Sequence, residues 1–217
     1  MITPQLINPR SIVVVGASSD VNKPGGKVLK NLIDHQFKGQ LYVSNPKEDE
    51  IQGIRSYRNL ADLPQTDLAI LAIAAKYCPE TVELLARQKQ TRAFIILSAG
   101  FHEESEAGAE LERQIVETIE ATGGCLIGPN CIGVMNPNYA GVFTTPIPKL
   151  DPRGVDFISG SGATAVFIME ASIPRGLNFA SVYSVGNSAQ LGVEEVLEYL
   201  DTTFDPATSS RVKLLYV

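Results

Sequence analysis

Gly16, the hydroxyls of Ser18 and Ser19, and the paired glycines Gly25 and Gly26 lie together in one polar stretch, GASSDVNKPGGK. Such a stretch suits a backbone that must come close to an anion. Backbone N–H groups of Ala17 to Ser19, both hydroxyls and the amides following Gly25 can all face a pyrophosphate. The stretch spells neither GxGxxG nor GxxxxGK with Ser or Thr after it, so it is neither the dinucleotide fingerprint nor a P-loop. Glycines at the tight turns of an ordinary loop would read the same way. Downstream, Ser44-Asn45-Pro46-Lys47 places a cation where a NAD site carries Asp or Glu for the ribose hydroxyls. A lysine there suits a phosphorylated ribose, which leaves coenzyme A, with its 3′-phosphate, and NADP, with its 2′-phosphate. The plain alternative is a solvated turn lysine beside Glu48, Asp49 and Glu50.

These positions need a scaffold that delivers loops to one edge. SIVVV (Ser11 to Val15), LYVS (Leu41 to Ser44), DLAILAI (Asp67 to Ile73), AFIILS (Ala93 to Ser98) and CLIG (Cys125 to Gly128) are short apolar runs of the kind that form strands buried on both faces. Helical patterns separate them. KVLKNLIDHQF sets Val28, Leu29, Leu32 and Ile33 on one face, Pro79 opens a second helix through Leu84 and Leu85, and Glu103 to Thr122 carries Leu111, Ile115, Val116 and Ile119 as an inner stripe. Glu103, Glu104 and Glu106 then form an acidic first turn. The alternation predicts an α/β fold with a Rossmann-like, doubly wound parallel sheet over residues 1–130. The proline-rich residues 131–152 read as a connection. From 153 to 217, VDFIS, GATAVFIMEAS, FASVYS, VEEVLEYL and VKLLYV begin a second α/β unit, expected to continue in the parent beyond Val217.

Composition excludes several classes. With 217 residues, 44% hydrophobic and 19% charged, the chain has the make-up of a globular protein rather than a disordered one. A formal charge of −6 and the lack of a Lys/Arg cluster argue against nucleic acid as a partner. No apolar run approaches the ~18 residues of a membrane span, and Met1 to Arg10 lacks the features of a signal peptide, so a cytoplasmic setting without membrane attachment is expected. Cys78, Cys125 and Cys131 fit neither a zinc spacing nor a disulfide framework, and no metal site is expected. His35 and His102 read as surface residues, and Cys131 as a small buried residue rather than a nucleophile.

GASSDVNKPGGKVLKNL, the turn Asn45-Pro46-Lys47, DLAILAI, SAGF (Ser98 to Phe101), IGPNCIGVMNP (Ile127 to Pro137), FISGSGA (Phe157 to Ala163) and YSVGNSAQLGVEEVLEYL follow one another across nearly the whole chain. In that order they resemble the α part of NDP-forming (ADP-forming) acetate-CoA ligases, relatives of succinyl-CoA synthetase. The resemblance implies a CoA-binding Rossmann-like domain followed by a partial flavodoxin-like domain. It places coenzyme A against Gly16, Ala17, Ser18, Ser19 and Lys23, with Asn45, Pro46 and Lys47 at the nucleotide end. Ile73, Ala74, Ala75, Ser98, Ala99 and Gly100 would line the pantetheine arm, and relatives commonly carry proline where this chain has Ala74. A phosphate site is implied at Ser161, Gly162 and Ala163, where a helix start offers free amides, approached by the Gly128-Pro129 turn with Asn130 and Cys131.

The implied reaction is that of an acid–thiol ligase, interconverting acyl-CoA, ADP and phosphate with carboxylate, CoA and ATP through a phosphohistidine. That histidine would lie past the region covered, so no catalytic residue is assigned and this piece alone is expected to be inactive. Implied partners are a small carboxylic acid and an ATP-grasp domain or β subunit that brings ATP or ADP with Mg, in an oligomeric parent. Protein lysine acetyltransferases with a degenerate ligase-like region share much of the pattern, which makes a CoA-binding regulatory region the alternative. An NADP-binding Rossmann protein is the third.

Overall fold

The computed structural model describes residues 1–217. A one-turn helix, α1 (Pro4–Ile7), leads into β1 (Ser11–Val15), whose Ile12, Val13, Val14 and Val15 are all buried. Helix α2 (Pro24–Asp34) opens on a proline, which needs no donor there. It therefore starts ahead of Lys27 and takes Gly25 and Gly26 into its first turn. Val28, Leu29 and Leu32 face the core as expected, but Ile33 is 38% exposed. Asn31 is the buried neighbour instead, and its side-chain amide donates to the carbonyls of Val142 and Thr144 at 2.6 and 3.0 Å.

The first sheet gathers β2 (Gln40–Ser44), β3 (Glu50–Ile51), β4 (Ile54–Tyr57), β5 (Leu68–Leu71), β6 (Ala93–Ile96) and β7 (Cys125–Ile127) around β1 in the order β3-β4-β2-β1-β5-β6-β7. All pairs are parallel except β3 with β4. This small hairpin lies outside the sequence expectation because Glu50-Ile51 and the polar IRSY are too short to carry a period. Helices α3 (Cys78–Gln88) and α4 (Glu106–Ala121) pack beside each other. The start of α4 corrects one expectation: Ser105 caps the helix by accepting from the Gly108 N–H at 3.0 Å, so Glu103 and Glu104 precede it. Ile115 and Ile119 face inward, while Leu111 and Val116 are only half-buried.

The second sheet contains β8 (Gly133–Asn136), β9 (Tyr139–Val142), β10 (Leu150–Ser159), β11 (Phe179–Ser184) and β12 (Val212–Tyr216), ordered β12-β10-β11-β8-β9. Helix α5 (Gly162–Ser172) connects β10 to β11, and α6 (Val193–Thr202) precedes β12. Residues 131–152 are thus more than a connection, since β8 and β9 form a hairpin that pairs antiparallel with β11. Both strands are buried throughout and show no alternation, so periodicity could not reveal them. One hydrophobic core crosses both sheets, from Ile12 and Val14 to Tyr139, Ile158 and Tyr183. An isolated parallel bridge between Ile127 and Leu191 ties β7 to the segment before α6, and the Leu126 N–H donates to the Gln190 side chain at 2.8 Å.

Candidate functional site

Strand β1 has β2 on one side and β5 on the other, so the connections leave it in opposite directions and open a crevice at its carboxyl end. A cleft of about 670 Å³ lies there, and Gly16, Pro46, Lys47 and Ile73 line it together with Arg58 and Tyr77. Gly16 has φ +81°, and a Cβ on it would sit 2.4 Å from the Ala72 carbonyl oxygen. A Cβ on Gly25 would come within 2.1 Å of the Gly16 oxygen, and one on Gly26 within 2.1 Å of the Asp20 oxygen. The loop therefore folds straight back onto the start of α2, where no side chain caps the helix and Lys23 is the exposed N-cap residue. The backbone N–H groups of Ala17, Ser18 and Ser19 donate to no protein acceptor.

The hydroxyls also bond within the protein, although only Ser19 spends its hydrogen there. Ser19 donates to Glu48 at 2.6 Å, and the Ser18 oxygen accepts from the Asp20 N–H at 3.1 Å, so both hold the loop itself. Asn45 ties the second-strand turn to the first loop: its amide donates to the Ala17 carbonyl at 2.8 Å, and its oxygen accepts from the Lys47 N–H at 2.9 Å. Gln52, in the turn of the small hairpin, donates to the carbonyls of Ser18 and Gly26, both at 2.9 Å. Arg58 grips Asp49 with two bonds of 2.7 and 3.0 Å, and that contact holds the Asp49 carboxyl below its ordinary value. Nothing in the sequence near Gln52 or Arg58 signals either role, because both depend on the unforeseen hairpin.

The next two loops meet farther along the same edge. The Ser98 hydroxyl donates to the Ile73 carbonyl, and a Cβ on Gly100, at φ +106°, would lie 3.2 Å from the Ala75 Cβ. Ala99 is exposed between them. Ala74 has φ −60° and ψ 142°, and its N–H donates to no backbone acceptor, so the position already has the geometry of a proline. Ala74→Pro is expected to raise stability by about 0.4–1 kcal/mol by restricting the unfolded chain. Denaturant titration checks this, and a lower midpoint would mean that the loop needs a different backbone.

A second cleft, of about 540 Å³, lies at the carboxyl ends of β10 and β11. All five residues expected around a phosphate, Asn130, Cys131, Ser161, Gly162 and Ala163, line it, together with Gly186 and Asn187. The Ser161 hydroxyl caps α5 by accepting from the Thr164 N–H at 3.3 Å. Gly186, at φ +55°, lets the loops touch, since a Cβ there would sit 2.3 Å from the Pro129 oxygen. The Cys131 thiol donates to the Ile96 carbonyl at 3.3 Å, and burial pushes it up to about 12, so it is no nucleophile near neutral pH. His35 sits exposed at the end of α2, and His102 lies 2.7 Å from a Glu112 oxygen.

Residues 10–137 match the family described as the CoA binding domain. The chain belongs to that family. Residues 152–217 of this CoA-binding domain protein match the succinyl-CoA ligase like flavodoxin domain. The chain is 38% identical to the α subunit of an ADP-forming acetate–CoA ligase II of Pyrococcus furiosus, over 95% of this chain and 45% of that one. It is 37% identical to a trans-feruloyl-CoA synthase from an unknown prokaryotic organism, over 90% of this chain and 28% of that one. Among solved structures, the dinucleotide-forming acetyl-coenzyme A synthetase 1 of Ca. Korarchaeum cryptofilum, in complex with phosphate and ADP, superposes with a TM-score of 0.86 at 30% identity, covering 98% of this chain and 45% of that one. The chain thus spans less than half the length of each of these relatives. Both named curated relatives are CoA-ester-forming enzymes, which favours the synthetase resemblance over the acetyltransferase one. No helix is long and apolar enough to cross a membrane.

Proposed function

We propose that this chain is the CoA- and phosphate-holding front of an ADP-forming acyl-CoA synthetase. One observation carries the reading: residues far apart in sequence form two separate clefts, and the loop between them is shared. Asn130, on the second cleft, donates its N–H to the Ser98 carbonyl at 2.9 Å, and Ser98 reaches the Ile73 loop of the first. In this reading the free N–H groups of residues 17–19 and the start of α2 take the pyrophosphate of CoA, while Lys47 takes the ribose phosphate. The loops 73–75 and 98–100 guide the pantetheine arm toward the second cleft. There the start of α5 and the Asn130 loop hold the phosphoryl group, with Ser161, Gly162 and Ala163 offering amides to the anion.

The remaining chemistry belongs to other parts of the parent. An ATP-grasp domain or subunit brings ATP or ADP with Mg, and the small carboxylic acid meets CoA there, in a cytoplasmic oligomer. Relatives named for acetate and for trans-feruloyl match this region at 38 and 37% identity, so the match singles out no one acyl group for this chain. Isothermal titration of the 217-residue chain with CoA, NADP and NAD tests the reading. Saturable binding of CoA alone is the expected result. Binding of a nicotinamide cofactor in its place would overturn it.

A further inference from the structure

Three loops that belong to the two clefts converge on one side chain, Asn187. Its amide nitrogen donates to Glu103 at 2.5 Å and to Glu112 at 3.1 Å, so each N–H meets a different carboxylate. Its oxygen accepts from the Asn130 amide at 3.3 Å, and its backbone N–H donates to the Pro129 carbonyl at 2.9 Å. Glu103 in turn uses its other oxygen to accept the N–H groups of Gly100 and Phe101, at 2.6 and 3.2 Å. Glu112 is fixed from behind by His102. Every donor and acceptor of the Asn187 amide is engaged, and a reversed amide would turn its oxygen toward two carboxylates. The orientation is therefore set.

This arrangement runs from Gly100, in the loop whose Ser98 bonds the Ile73 carbonyl at the first cleft, to Asn130, on the second, in three hydrogen-bonded steps. Both ends are backbone positions that only tight local geometry maintains: Gly100 has φ +106° and Asn130 φ 56°. The 98–101 loop cannot shift without breaking charge-assisted bonds to Glu103, nor the 128–131 loop without breaking its two bonds to Asn187. We infer that Asn187 and Glu103 form a clasp that sets the 98–101 loop and the 128–131 loop in register, so that filling one cleft changes the affinity of the other. Glu103 is a positioning residue in this role, since it acts through the loops, whereas Asn187 also lines the second cleft. The inference rests on the proposal that the first cleft takes CoA and the second phosphate.

Linkage gives the test. If the clasp couples the clefts, saturating inorganic phosphate changes the Kd of the 217-residue chain for CoA, and CoA changes the Kd for phosphate by the same factor. The expected factor is about fivefold or more. In Asn187→Ala, and in Glu103→Ala at an exposed position, it falls to about one. The ratio is the decisive readout, because a loss of stability alone lowers the melting temperature without changing it. If Asn187→Ala does not fold, or loses phosphate because Asn187 lines the second cleft, Glu103→Ala, which lines neither cleft, reads the same link. Binding of both ligands to the wild-type chain with a ratio of one, or a ratio unchanged in the variants, overturns the clasp while the CoA reading stands. Failure of the wild-type chain to bind CoA overturns both.

Discussion

Gly25→Ala is expected to weaken CoA binding at least tenfold and to destabilise the chain by about 1–3 kcal/mol. Alanine is the better helix former by about 1 kcal/mol, so propensity alone predicts the opposite sign for stability. Contact geometry decides. The new Cβ would lie 2.1 Å from the Gly16 oxygen, 2.9 Å from its carbon and 3.3 Å from the Ala17 Cα, all of them backbone atoms that cannot rotate away. The helix start and the loop must separate by about an ångström, and the amides of residues 17–19 then no longer converge with those of α2 on one anion. Losing a single hydrogen bond to a charged group removes about 1.5–3 kcal/mol, which sets the expected fall in affinity. Gly53→Ala is the matched control. Gly53 also has a positive φ, +82°, but nothing lies within 4 Å of its Cβ position. It should lose about 1–2 kcal/mol of stability from strain and leave CoA titration unchanged. Equal CoA affinity in Gly25→Ala and the wild type would remove the loop from the site.

The difference between those glycines shows what the sequence makes legible. GASSDVNKPGGK announces close backbone approach by residue type alone, and both the loop and its place after a buried strand are where that pattern puts them. SIVVV and FASVYS, with GATAVFIMEAS between VDFIS and FASVYS, coincide with β1, β11 and α5, because runs of this kind leave one sensible element each. The hairpin of β3 and β4 was hidden by its shortness, and with it went Gln52 and Arg58. Their positions depend on pairing with β2 across the sheet, a long-range fact that no local period encodes. The hairpin of β8 and β9 was hidden for the opposite reason, since both strands are buried on every residue and the prolines around it resemble a linker.

Glu103 and Asn187 illustrate the same limit at the site. An acidic residue just before a helix suggests a favourable charge at its end, but Ser105 already holds the cap. That frees Glu103 to turn back to Gly100. Burial of its carboxyl is the largest single influence and raises its pKa, yet the bonds from Asn187, Gly100 and Phe101 outweigh it and hold the group below its ordinary value. The contribution of these bonds is therefore present at neutral pH and fades as pH falls through that lowered value. Asn187 lies 84 residues away in sequence, so only the fold brings it within reach.

Lys47 tests the nucleotide end of the first cleft. Its three acidic neighbours in sequence suggested an ordinary turn lysine, but the structure gives two of them other partners: Glu48 accepts from Ser19 at 2.6 Å, and Asp49 is gripped by Arg58 at 2.7 Å. Lys47 itself enters no ion pair and lines the cleft, while its backbone N–H is anchored by Asn45. A cation held at a cleft edge without a carboxylate is placed to meet an anion from outside. Lys47→Glu is therefore expected to weaken CoA by about 1–3 kcal/mol, roughly fivefold to 150-fold, and to change dephospho-CoA far less. Because the side chain is exposed, melting should be unaffected, and added salt should shrink the difference between the two ligands. Paired titrations of wild type and variant with CoA and dephospho-CoA give the answer. Equal losses for both ligands would move the contact from the 3′-phosphate to the pyrophosphate, and no loss for either would return Lys47 to solvent.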